Sequence, residues 1–201
     1  MRLAHTGAAL LAFTILVHDA SADEWGTAYD VLLDRPDVEV EYLTSDEGAE
    51  TRRFRLPGPV IVDEIRDGDN YRVWSRDASG LGAVQCAWLI YATTVFYAER
   101  CDAAGYQDQL TLLRTGVDRI EAFMQENWLV PMSDDDLVAF KANWQAQEEV
   151  WFAQSGTEQA CENPHFLHMI NRVAAMGEEG HTEAIDELLS VPRLPVANPC
   201  L

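Results

Sequence analysis

From Leu81 to Ala98 the chain carries no charged side chain, and this run constrains what the rest can become. Its apolar residues surround the helical axis instead of lining one stripe, so a helix here must be enclosed on all sides, by other helices or by lipid. Gly82, Gln85, Cys86, Thr93 and Thr94 make the run only mildly hydrophobic. The sequence therefore predicts a buried central helix, with a membrane span as the alternative.

The chain on the N-terminal side of the run has a different period. Val38, Val40 and Tyr42 alternate with Glu39 and Glu41, and Arg52, Phe54 and Leu56 alternate with Arg53 and Arg55. Alternation of this kind marks strands with one wet face, here paired as a hairpin in which glutamates face arginines. Pro57-Gly58-Pro59 breaks the pattern. Val60 to Ile65 and Tyr71 to Ser75 read as a second hairpin around Asp67-Gly68-Asp69-Asn70.

Beyond Arg100 the spacing is helical. Leu110, Leu113, Val117, Ile120 and Met124 define an amphipathic helix from about Tyr106 to Trp128. Ser133 and Asp136 have the form of a capping box that starts a second, which makes the triplet Asp134 to Asp136 a helix start before it is a metal site. Asn163-Pro164 opens a third that Gly177 stops, and a short helix from Thr182 to Leu189 precedes a proline-broken tail. The expected fold is α+β and mainly α: a small N-terminal antiparallel sheet of two hairpins over 23–80, then a disulfide-bridged bundle of four to five helices over 81–201. Together they form one domain, 23–201.

Residues 1–22 are read as a cleaved signal peptide. Arg2 and His5 precede the apolar run Ala8 to Val17, and Ala20-Ser21-Ala22 offers a small-residue cleavage site before Asp23. A run of ten residues falls short of the roughly 20 apolar ones that cross a bilayer. The expected destination is the periplasm or the exterior, with no permanent membrane span after cleavage.

Export makes the four cysteines a disulfide framework. Cys86 and Cys101 are separated by about 22 Å along one continuous helix, whereas bridged Cα atoms approach within about 7 Å. An up-down bundle brings the end of the first helix beside the start of the fourth, so Cys101 is expected to pair with Cys161, leaving Cys86 for Cys200.

The net charge of −20 is concentrated in the helical half, where residues 101–201 hold seventeen acids against five bases. Such a surface repels phosphate backbones, which excludes nucleic acid as a partner, and it steers cations such as a basic protein, a polyamine or a divalent metal. Acidity selected for solubility is the competing explanation.

Two side-chain groupings have chemical potential. His165, His168 and Met169, at i, i+3 and i+4 with His181 further on, offer imidazole and thioether donors to copper or zinc, although Met169 also fits a core beside Phe166 and Ile170. Glu148 stands between Trp144 and Trp151 at helical spacing, where apolar walls would raise its pKa toward that of a general acid. In the alternative, Gln147 turns inward and Glu148 faces water. The nucleophile elbow, the zinc-protease pair and the phosphate loop are all missing, and no cofactor is implied. The reading is an exported, acidic, non-catalytic protein of inhibitor, immunity or accessory type that binds a basic periplasmic or secreted protein. The alternatives are a copper or zinc carrier using His165, His168 and Met169, and an unrecognised hydrolase.

Overall fold

The alternating segments become strands. In a computed structural model, which describes residues 25–200, β1 (Glu39–Thr44), β2 (Glu50–Leu56), β3 (Val60–Asp67) and β4 (Asn70–Asp77) form one antiparallel sheet in chain order. The expected signal peptide, residues 1–22, lies outside the described residues. The two hairpins merge because β2 also pairs with β3. At that turn Gly58 has φ 75°, and a Cβ there would stand 2.5 Å from the Cβ of Arg193, so no larger residue fits.

Register decides the two faces. Arg52, Phe54 and Leu56 lie opposite Glu64, Val62 and Val60 and are buried with them beneath Leu32, Leu194 and Val196. Leu32 comes from a 3₁₀ turn over Ala28–Leu32; the other two come from the C-terminal tail. On the wet face Arg55 pairs with Glu41 at 3.0 Å, but Arg53 turns from Glu41, its neighbour opposite, to Asp63 of β3 at 2.7 Å. The half-exposed Arg55–Glu41 pair adds about 1 kcal/mol at most, whereas Asp63 is buried.

The uncharged run is α1 (Val84–Asp102). Trp88, Ala92 and Ala98 are in its buried set, which packs against α2 (Gln107–Asn127) and α5 (Pro164–Leu188). This enclosure is why the run needs no polar stripe. None of the described helices is long and apolar enough to cross a membrane. Gly177, at φ 63°, interrupts α5, and the helix resumes directly after it instead of at Thr182. Asn163 caps α5 by accepting from the N–H groups of His165 and Phe166.

α3 (Asp134–Ser155) opens on the Ser133–Asp136 capping box, but it is not the amphipathic helix expected. None of its residues is buried. Leu137, Phe140, Trp144 and Phe152 are half-buried, while Val138, Val150 and Trp151 point to solvent. Apolar residues all round a helix cannot all dock when only one face meets the bundle. A short α4 (Thr157–Cys161) leads into α5.

Disulfides tie the ends together. Cys86 is joined to Cys200 with Cα atoms 5.2 Å apart, and Cys101 to Cys161 at 5.5 Å. The first anchors the tail on α1, and the second fixes α4 to the far end of the same helix.

Candidate functional site

Where α3 lies across α1 and α2 it leaves a groove of about 310 Å³. Trp88, Phe96 and Trp144 line it, with the two indoles edge-on at 5.2 Å and Phe96 edge-on to Trp144 at 6.1 Å. Glu121 reaches the same space from the inner side of α2, between the turns that carry Val117 and Met124. Its burial is compensated twice. The Trp88 indole donates to Oε1 at 3.0 Å, and the Lys141 ammonium sits on Oε2 at 2.7 Å. With both oxygens committed, Glu121 is a charge-balanced anchor and not a free base.

The mouth of the groove carries both signs. Arg114 pairs with Glu99 at 2.7 Å. Arg100 lies over the Phe96 ring, 3.4 Å from its centroid, and also pairs with Glu149. Asp118 lines the opening without an ion-pair partner among the described residues. The groove thus has aromatic walls beneath a rim of both signs, and among the described residues no nucleophile is held beside a proton acceptor in it.

The sequence-selected residues fall in different places. Glu148 is half-buried at one side of Trp144, while Gln147 is exposed. Burial pushes the Glu148 carboxyl above its ordinary pKa, partly countered by the Trp144 N–H, and burial followed by the Glu148 charge raises Tyr97. That indole N–H still closes no hydrogen bond of acceptable geometry and remains a buried donor without a partner. Trp151 is 63% exposed, so Glu148 has one indole wall, not two.

His165 and His168 are exposed on α5, whereas Met169 is buried among Ile170 and Val173. The thioether thus turns away from the two imidazoles. Among the described residues no group of three or more His, Cys, Asp or Glu is placed to hold a metal ion. His181 is only 2% exposed, its ring 5.6 Å from that of Tyr91, and its Nε2 has no partner. Burial, and then the charge of Arg119, lower its pKa.

A second polar cluster holds the N-terminal segment on the sheet. Arg52 is fully buried, donates to Glu64 at 2.7 Å and to Asp30 at 2.5 Å, and lies 5.0 Å and 5.1 Å from the centroids of Trp25 and Phe54. Those ring faces meet the guanidinium, whose Nη1 has no hydrogen-bond partner. Thr27 and Tyr71 both donate to Glu64 Oε1. Burial and then the Glu64 hydrogen bond push the Tyr71 hydroxyl up to about 12. The sequence did carry the signal: Arg52 is the charged residue in phase with Phe54 and Leu56.

The outer surface of the helical half is acidic. After Gly177, Glu178, Glu179, Glu183 and Glu187 are all exposed. Compared with known protein families, curated proteins and solved structures, the chain matches none.

Proposed function

We propose that the protein is an exported, non-catalytic binding protein that engages a basic macromolecule through the acidic surface of its helical half, in the periplasm or outside the cell. One observation carries this reading. Of the seventeen acids in residues 101–201, ion pairs among the described residues reach only Glu121, Glu149 and Asp186. Apart from the half-buried Glu148, the other carboxylates are left to solvent, where their summed field attracts and orients a cationic partner. Two disulfides and the signal-like segment 1–22 support the export part of the reading.

The test is binding to poly-L-lysine and to a basic cell-wall hydrolase at low and at physiological ionic strength. Association at low salt that weakens as salt rises, and weakens again when Glu178, Glu179, Glu183 and Glu187 are changed together to Gln, supports the proposal. No association with either probe at low salt rejects it.

A further inference from the structure

The two outer strands of the sheet carry opposite charge on the same face. On the wet face β1 presents Glu39 and Glu41, while β4 presents Arg72, Trp74 and Arg76. The sheet's other arginines are committed: Arg53 to Asp63, Arg55 to Glu41, Arg52 to Glu64 and Asp30, and Arg66 to the Trp25 carbonyl. Arg72 and Arg76 have no carboxylate partner among the described residues. In a chain of charge −20, two cations left on an open edge form a local patch of the opposite sign.

Exposed apolar side chains gather on the same strands. Tyr42 of β1 is 55% exposed, and Tyr71 and Val73 of β4 are 47% and 39% exposed. Cross-strand pairing puts all three on the sheet's other face. Each edge therefore shows exposed apolar residues on one face and, on the other, charges beside a single exposed apolar residue, Leu43 on β1 and Trp74 on β4; the charges are negative on β1 and positive on β4.

Backbone phase agrees with this arrangement. In an antiparallel ladder every second residue turns its N–H and C=O to the free side. Asp77 does so, donating to the Asn198 carbonyl at 2.8 Å, which puts Val73 and Tyr71 in the outward phase of β4. Ser45 donates inward to Ala49 at 2.9 Å, which makes Tyr42 and Val40 outward on β1. The outward residues of both edges are thus the apolar-face residues. Among the described residues no strand pairs either edge.

We infer that a second copy of this chain adds its β1 edge to the β4 edge of the first, antiparallel, continuing the sheet from molecule to molecule. Tyr42 of the incoming copy lies opposite Val73, Glu39 opposite Arg76, and Glu41 stands diagonal to both Arg72 and Arg76. Because the two edges differ, the contact is head-to-tail and open-ended. It is small, so the association is weak and rises with concentration. The acidic helical half opposes it only at close range, since charges are screened over about 8 Å at physiological salt. This inference does not depend on the proposed basic partner.

Charge exchange tests it. Sedimentation of the full mature chain at physiological salt is expected to show average mass rising from micromolar to millimolar concentration. Arg72→Glu with Arg76→Glu, and separately Glu39→Arg with Glu41→Arg, each weaken the association about tenfold or more by setting like charges across the contact. Mixed in equal amounts, the two variants regain complementary charges at both kinds of contact, native in one and exchanged in the other, so average mass rises with concentration again. Val73→Pro removes an outward N–H, which an edge strand tolerates, and also abolishes association while the circular dichroism stays native. The inference is overturned if the unaltered chain stays monomeric throughout, if the charge variants or the proline variant associate like it, or if the mixture associates no better than either variant alone. Association with an added acidic extended peptide at β4, without self-association, also overturns it and assigns the edge to a foreign strand.

Discussion

Arg193 and Asp77, 116 residues apart in sequence, form an ion pair at 2.6 Å with both side chains almost fully buried. The guanidinium also donates to the carbonyls of Val191 and Gly82. This is the joint between sheet and bundle, because Asp77 ends β4, Gly82 precedes α1 and Arg193 lies on the returning tail. Removing either partner strands a buried charge, which typically costs about 3 to 5 kcal/mol. Arg193→Ala and Asp77→Ala are each expected to lower the urea midpoint by that equivalent. The double variant Arg193→Met with Asp77→Leu should lose less than the sum. A double cycle with no coupling would show the pair to be incidental.

Gly116 decides between two opposed effects. Replacing a mid-helix glycine by alanine usually stabilises a helix by about 1 kcal/mol. Here a Cβ would stand 2.7 Å from Cε1 of Tyr91 and 3.2 Å from Cε1 of His181. Neither ring is at the free end of a flexible chain. Overpacking of this kind costs about 1 to 3 kcal/mol and is expected to win, so Gly116→Ala should unfold at a lower temperature than the parent.

Stability should fall on mild acidification because of His181. Its folded pKa lies below its ordinary value of 6.5, so the unfolded chain binds a proton more readily. The contribution is fully present above about pH 6.5 and is lost as pH falls toward and through the lowered folded value. Around the ring stand Tyr91 on α1 and Gly116 on α2, with Arg119, whose charge adds to the shift, paired to Asp186. None offers Nε2 a hydrogen bond. The observable is the slope of melting temperature against pH between about 5 and 7, steeper in the parent than in His181→Leu whatever that variant's own stability. Equal slopes would assign the loss to other groups.

Each disulfide should contribute heavily. In the chain-entropy treatment, closing loops of 60 and 114 residues gives about 4 to 5 kcal/mol apiece. Such amounts rival a domain's net stability of about 5 to 15 kcal/mol. Cys101→Ala with Cys161→Ala, and Cys86→Ala with Cys200→Ala, are expected to lower the unfolding free energy by comparable amounts, and reduction of both bridges should leave a marginal or aggregating chain. Peptide mapping without reductant should recover Cys86 with Cys200 and Cys101 with Cys161.

Periodicity determined which segments became strands and helices. It is a local property: an alternating run such as Val38 to Tyr42 can bury one face only as a strand, and the uncharged run Leu81 to Ala98 can exist only enclosed. Capping was equally local, since Ser133 and Asp136, or Asn163 and Pro164, satisfy helix ends with atoms two or three residues away. The order of elements and the mainly α, sheet-then-bundle class followed. Contacts between distant residues were decided by the tertiary structure. Nothing near Glu121 in sequence announces that Trp88 and Lys141 will converge on it, and only packing turned Trp151 to solvent while Trp144 went into the groove. Whether Glu148 or Gln147 faced inward depended on how far α3 rotates as it docks, which its evenly spread apolar residues do not encode. The charge contrast between the β1 and β4 edges became visible once register fixed which side chains share a face. Sequence period sets a side chain's direction relative to its own element, whereas its neighbours depend on how elements meet, and that is a property of the whole chain.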